Sequence, residues 1–206
     1  MATQIQKRQI ATTLIDGWTP ADATWTYASA STITVPSGAA SIYQKGDRIK
    51  WTQTTVKYGV IVAVADTLLT IAVNTDYTVA NAAISANYFS HQANPLGYPG
   101  FFNWSPTVTF SGGTVPNTVS RSAAKYWLIG TMCTFTISQA YTNAGINNTQ
   151  VDLTLPITGS SNYYGGFAWI GVTTVPKRTY ISTTTMTSEF GAAASSEYTG
   201  GGSYPI

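Results

Sequence analysis

Apolar and polar residues alternate along most of this chain, and the alternation predicts strands. From Asp47 to Gln53, DRIKWTQ sets Ile49, Trp51 and Gln53 on one face and Arg48, Lys50 and Thr52 on the other, as a half-buried strand does. Lys45, Gly46 and Asp47 form the turn that leads in, because glycine followed by aspartate suits tight backbone geometry. Val56, Tyr58, Val60, Val62 and Val64 then share a side, and after Ala65, Asp66 and Thr67 come Leu69, Ile71 and Val73 in step. That is a hairpin. Upstream, TWTYASASTITVP alternates through Trp25, Tyr27, Ile33 and Val35 until Pro36, and downstream AISANYFSH supplies one more short strand. Together these segments predict a small five-stranded barrel of SH3 or OB type over residues 21–92. Good helix periodicity is absent, with Ile5, Ile10, Leu14 and Ile15 of the first fifteen residues suiting either a short helix or a strand.

The stretch ANPLGYPGFFNWSP, residues 93–106, holds three prolines, two glycines and four aromatic residues. Proline fixes its own φ and biases its predecessor towards extended forms, so this is a stiff linker and the domain boundary. Phe101, Phe102 and Trp104 are too apolar to remain in water and are expected to dock on a flanking domain. Beyond it, PTVTF, KYWLIGTMCTFTISQAY, VDLTLPI, GFAWIGVTTV and RTYISTTTM read as strands between Gly, Asn, Ser and Pro clusters. Strands at such spacing predict a β-sandwich or jelly roll over residues 107–206. Cys133, Phe135 and Ile137 share one face of the second run, and Val151, Leu153, Leu155 and Ile157 form the most regular apolar face. The expected fold is therefore all-β throughout.

Composition narrows the partners. Only 9% of the residues are charged, while 34 threonines, 13 tyrosines and 6 tryptophans stand in the chain. A hydrophobic fraction of 44% supplies a packed core, which argues against disorder. The formal net charge is +2 with neither sign in a block, so no basic stripe is present to neutralise phosphates and no nucleic-acid partner is expected. The longest apolar run, residues 58–73, is broken by Asp66 and Thr67, and no membrane insertion is expected. MATQIQKRQIATTLI mixes polar and apolar residues, unlike a signal peptide, so no secretory route is expected. One cysteine, Cys133, excludes a disulfide within the chain.

Catalytic chemistry finds little material. The single histidine, His91, is far in sequence from Cys133, and no G-x-S-x-G elbow occurs; it reads as a surface or linker residue. A glycosidase needs two facing carboxylates, yet Asp47 and Asp66 look like turn residues and the only glutamates, Glu189 and Glu197, lie near the end. His, Cys and carboxylates show no ligand spacing, so neither a metal nor a cofactor is expected, and the chain reads as non-enzymatic. What remains is a surface of hydroxyls and aromatic rings, which suits sugars. SSNYYGGFAW places Tyr163, Tyr164 and Trp169 beside glycines as candidate glycan or receptor contacts. Trp169 alternates with Phe167 as a core residue would, and packing is the commoner use of such tyrosines.

One longer string carries a resemblance. DGWTP, TWTYASASTITVPSGAASIYQKGDRIKW, VNTDYTVANAAIS and ANPLGYPGFFNWSPTV, spread over roughly residues 4–110, resemble a module of tail-fibre, baseplate or other virion-surface proteins of tailed bacteriophages and prophages. A segment like QIQKRQI often precedes that module as part of an attachment region, which implies that residues 1–20 are a separate attachment segment docking on a larger virion protein, with Ile5, Ile10, Leu14 and Ile15 as the candidate contacts. The C-terminal half resembles the family only in style, where such domains carry partner or receptor contacts, including host-surface glycans. The resemblance implies a virion structural protein, commonly a homotrimer, without catalytic residues. A head-decoration protein that stabilises the capsid, and a free carbohydrate-binding module, are the alternatives. Low charge is consistent with such an assembly, whose interfaces hide apolar surface. The chain is nevertheless short for a tail fibre and has no long shaft.

Overall fold

A computed structural model describes residues 16–21, 23–111, 118–142, 150–160, 163–164, 167–170, 178–189 and 197–206. The chain is all-β, every strand pair is antiparallel, and it divides into two compact units, residues 1–100 and 101–206.

In the first unit, strands β1 (Thr19–Pro20), β2 (Thr26–Ser29), β3 (Thr32–Thr34), β4 (Arg48–Gln53), β5 (Thr55–Ala65), β6 (Leu68–Val73) and β7 (Ser85–Ser90) form one sheet in the order β1-β7-β4-β5-β6-β3-β2. Ile33, Ile49, Trp51, Ile61, Leu69, Ile71 and Phe89 of its strands join Trp25, Val35 and Tyr43 of the connecting segments in a single core. Burying these rings and branched chains from water is the main favourable term in folding the unit. The alternation expected for β4 holds, with Ile49, Trp51 and Gln53 all buried. Buried Gln53 is satisfied throughout: its Nε2 donates to Ala80 O and Ala82 O, and its Oε1 accepts from Ala80 N–H and Trp51 Nε1.

The expected barrel does not close. The sheet is open, with β1 and β2 at its edges and seven strands where five were predicted. A flat sheet would set those edges about 29 Å apart at ~4.8 Å per strand, whereas the six peptide steps from Pro20 to Thr26 reach about 21 Å at most. The sheet must therefore coil. At the seam the chain leaving β1 stays on β7, through Ala21 N–H to Asn87 O (2.8 Å) and Asn87 Nδ2 to Ala23 O (3.1 Å), before Trp25 turns into the core. A bulge in β5 accounts for a second difference. Ile61 pairs with Ile71 but Ala63 with Thr70, so Val62 is the extra residue. The even-numbered valines consequently do not share a face: Ile61 joins the core below the bulge and Val64 packs against it above.

The second unit contains β8 (Phe102–Asn103), β9 (Val108–Ser111), β10 (Thr118–Ile129), β11 (Met132–Thr142), β12 (Gln150–Thr154), β13 (Tyr163–Tyr164), β14 (Phe167–Ile170), β15 (Arg178–Ile181), β16 (Thr185–Glu189) and β17 (Glu197–Pro205). They make two five-stranded sheets, β14-β17-β11-β10-β8 and β13-β15-β16-β12-β9. The run KYWLIGTMCTFTISQAY is a hairpin rather than one strand. It turns at Gly130–Thr131, where Gly130 has φ +58°, a value open to glycine without a Cβ clash. Cys133, Phe135 and Ile137 face inward as expected, and Val151, Leu153 and Ile157 are buried from the other sheet's side. Tyr204 joins the two sets, donating its hydroxyl to Ile157 O at 2.8 Å. Burial pushes the Cys133 thiol up to about 12, against the opposing hydrogen bond of Tyr204.

Candidate functional site

The 93–106 stretch is divided between the units. Its first part lies on the outer face of the coiled sheet, where Trp18 N–H donates to Asp16 Oδ1, Leu96 N–H to Asp16 O (2.8 Å) and Trp18 Nε1 to Leu96 O (2.9 Å). Trp18, Tyr58 and Tyr98 stand 6.0–6.2 Å apart, centroid to centroid. Lys50 places its ammonium between the Trp18 and Tyr88 rings at 4.5 and 4.4 Å, and Arg48 stacks on Tyr98 at 5.3 Å. Burial lowers the Lys50 pKa, against the pull of Asp16. Arg48 and Lys50, predicted for the polar side of β4, thus lie under a second aromatic layer. Thr19–Pro20 and buried Trp18 also place residues 16–20 in the first unit. Ile5, Ile10, Leu14 and Ile15 fall outside the described residues.

His91 is oriented by a carboxylate. Its Nδ1 lies 2.8 Å from Asp47 Oδ1, its ring edge packs on Phe89, and it remains 54% exposed while Asp47 is buried. Asp47 Oδ2 accepts the Gln44 N–H, closing the turn before β4. No described hydroxyl or thiol hydrogen-bonds the ring. In the second unit Asp152 accepts from Thr187 and Gln150, and Glu189 accepts from Arg178. Among the described residues no three His, Cys, Asp or Glu side chains gather as a metal site would require, and no helix is long and apolar enough to cross a membrane.

The strongest ligand geometry lies on the outer face of the β14-β17-β11-β10-β8 sheet. Residues paired across strands share a face, so three outward rows can be read from the register. Trp127, Thr134 and Ser203 form the first; Lys125, Thr136 and Gly201 the second; Ala123, Ser138 and Thr199 the third. Thr134 and Ser203 hydroxyls lie 2.8 Å apart, and those of Ser138 and Thr199 lie 3.1 Å apart. Between the two pairs, Gly201 leaves the floor without a side chain, and a trough of about 470 Å³ runs along β11 and β17. Glycine is required there. A Cβ on residue 201 would stand 2.4 Å from Phe135 O, inside any real contact. Lys125, in the second row, lays its ammonium over the ring of Phe101 at 4.0 Å, and Phe101 is 46% exposed. The inner rows of the same sheet, including Phe102, Tyr126, Phe135 and Ile137, are buried.

The sequence candidates Tyr163, Tyr164 and Trp169 do not meet on one sheet. Tyr163 and Tyr164 form β13 against Ile181 and Tyr180, whereas Trp169 in β14 pairs with Gly200 of β17. Their side chains lie outside the described residues. The sequence reading missed the trough because Trp127, Thr134 and Ser203 come from three strands of which the last is remote in the chain. The glycine run GGGSY was its one visible sign.

Compared with known protein families, characterised proteins and solved structures, the chain matches none.

Proposed function

We propose that this chain is a non-enzymatic structural protein of a bacteriophage particle, a tail-fibre, baseplate or related surface component. Its second unit contacts the host surface and its N-terminal residues bind a larger virion protein. The observation that carries the reading is the pairing of a solvent-facing trough of small residues with a first unit built from the phage-like string. The residues of that string lock together: DGWTP clasps NPLGYPG through Asp16, Trp18 and Leu96. The engaged states of Asp47, Asp152 and Glu189 favour scaffold over hydrolase. In this reading the two sheets of the second unit pack as a jelly-roll-like sandwich, which the Tyr204 bond to Ile157 favours. The protein assembles as a homotrimer, so that a surface of low charge is largely interface.

Particles purified from a lysate of the strain that encodes the chain, probed with an antibody raised against it, test this directly. Label on the particle surface, together with a solution mass of three 21.9 kDa chains, is the expected result. A chain found only in the soluble fraction as a monomer overturns it. Label confined to the capsid would instead establish a head-decoration protein.

A further inference from the structure

We infer that the outer face of the β14-β17-β11-β10-β8 sheet is the surface by which copies of this chain pack together. This rests on the homotrimer proposed above and adds the face that builds it. Charge, hydrogen bonding, shape and area each favour a second copy as the partner.

The face is nearly free of charge and carries exposed apolar side chains. Register adds one more outward row, Ile129, Met132 and Pro205, at the hairpin end of the rows already described. Ile129 is 67% and Met132 37% exposed, and Trp127 in the next row is half-buried. Lys125 is the one charged residue in these rows, and its ammonium lies over the Phe101 ring. The other sheet of the same unit is the control. Its outward rows carry Gln150, Glu189 and Arg178, then Asp152, with Arg178 paired to Glu189 at 2.6 Å. One outer face thus has the charged surface of a solvated sheet, and the other has the charge-poor, Met- and Trp-bearing surface of an interface core.

The polar groups of these rows are engaged within the sheet. Thr134 hydrogen-bonds Ser203 at 2.8 Å and Ser138 hydrogen-bonds Thr199 at 3.1 Å, while the backbone of β11 is paired on both sides, to β10 and β17. Groups already satisfied cost little to take out of water, and the apolar atoms beside them gain from it. A second copy suits such a face, because contact between identical surfaces sets a charged patch against its own image, where it repels itself. Lys125, the one cation, lies on an aromatic ring, which offsets part of the cost of burying it.

Shape and size agree. Large side chains stand at the hairpin end of the face, and beyond them Thr136, Gly201 and Ala123 leave the trough of about 470 Å³, into which side chains of a neighbouring copy can enter. β10, β11 and β17 run for 12, 11 and 9 residues, and with β8 and β14 beside them the face measures about 600 Å² in plan at ~3.4 Å by ~4.8 Å per residue. Side-chain relief enlarges that, so the face approaches the ~800 Å² per partner of a standard interface.

The test measures the solution mass of the full chain by light scattering, beside Ile129→Lys, Thr136→Arg and, on the other sheet, Thr109→Arg. Ile129, Thr136 and Thr109 are all exposed in the single chain, so the new side chains leave the core intact. The expected result is a mass of three 21.9 kDa chains for the unsubstituted protein and for T109R, and of one chain for I129K and T136R. A Thr136→Cys variant reads the same face without an added charge. The native Cys133 is buried, so a maleimide labels only the new thiol, and assembly should slow that labelling about tenfold or more relative to Thr109→Cys. A trimer that withstands I129K and T136R, with T136C labelled as fast as T109C, keeps the homotrimer and removes this face. A dimer that both substitutions dissolve keeps the face and removes the homotrimer. A monomeric chain removes both, and one whose T136C becomes shielded only on particles assigns the face to another virion protein.

Discussion

The two units use the same residue types on their outer sheet faces to opposite ends. In the first, Tyr58 and Lys50 face outward but are covered by the chain itself, as Trp18 and the Pro95–Tyr98 segment fold back over them. In the second, the outward rows of β11 and β17 hold small hydroxyl residues and a glycine, and nothing described lies over the trough. The first face is filled and serves stability. The second stays open and is available to a partner, although both occur on antiparallel sheets of nearly uncharged sequence. Aromatic content alone therefore does not locate a binding face; what matters is whether the chain returns to cover it.

The contrast predicts that core damage stays within one unit, since each has its own buried set. Trp51→Ala gives the largest effect. The ring is fully buried among Ile49, Ile61 and Leu69, and removing a buried Trp costs about 3–5 kcal/mol through lost transfer energy and the cavity left behind. The expected readout is a large fall in the unfolding midpoint of residues 16–100 by amide hydrogen exchange, with the protection of β10, β11 and β17 preserved. Simultaneous loss in both units would show that they do not fold separately.

Gly201→Ala is the corresponding change in the second unit and is expected to cost about 1–3 kcal/mol, because the new methyl group must push β17 away from Phe135 O. Gly130→Ala is the control. It has positive φ but open space around its Cβ, so it carries only the left-handed strain of about 1 kcal/mol. If denaturant titration ranks Gly130→Ala as the more damaging, the close approach at Gly201 is not what shapes the trough.

How far the sequence reveals this depends on the range of each interaction. Ile49, Trp51 and Gln53 alternate within one strand, so their shared burial is legible from spacing alone. The hairpin turn at Asp66–Thr67 is legible for the same local reason. The bulge at Val62 is not, because it depends on how β6 is matched against β5. Arg48 and Lys50 show the limit most clearly. Alternation assigns them to the polar face, and they do lie there, but Arg48 is buried because Tyr98, fifty residues later, returns to stack on it. The trough depends likewise on Ser203 standing beside Thr134, a register that periodicity in either strand cannot supply.

The smallest expected effect concerns the acid side of the first unit. Asp66, at the tip of the β5–β6 hairpin, accepts from Ser37 Oγ at 2.6 Å and from Gly38 N–H at 2.8 Å, and those bonds hold its carboxyl below the usual 3.8. A depressed carboxyl pKa adds stability that is present above the unfolded value and lost as pH falls through the folded one. The first unit should therefore lose a small increment below about pH 4, while Ser37→Ala reduces that increment and Asp66→Asn removes it. The second unit carries the opposite sign at Cys133. Its raised thiol pKa adds stability that is present below 9.0 and declines as pH climbs towards about 12. Urea midpoints of the two units, followed separately from pH 3 to pH 11, check both signs. Because Asp66 is solvent-exposed, water and salt screen its bonds, so its share should shrink further at high ionic strength while that of buried Cys133 should not. An acid response in Asp66→Asn equal to that of the unsubstituted chain would assign it to other carboxylates and leave the hairpin clasp without a measurable role.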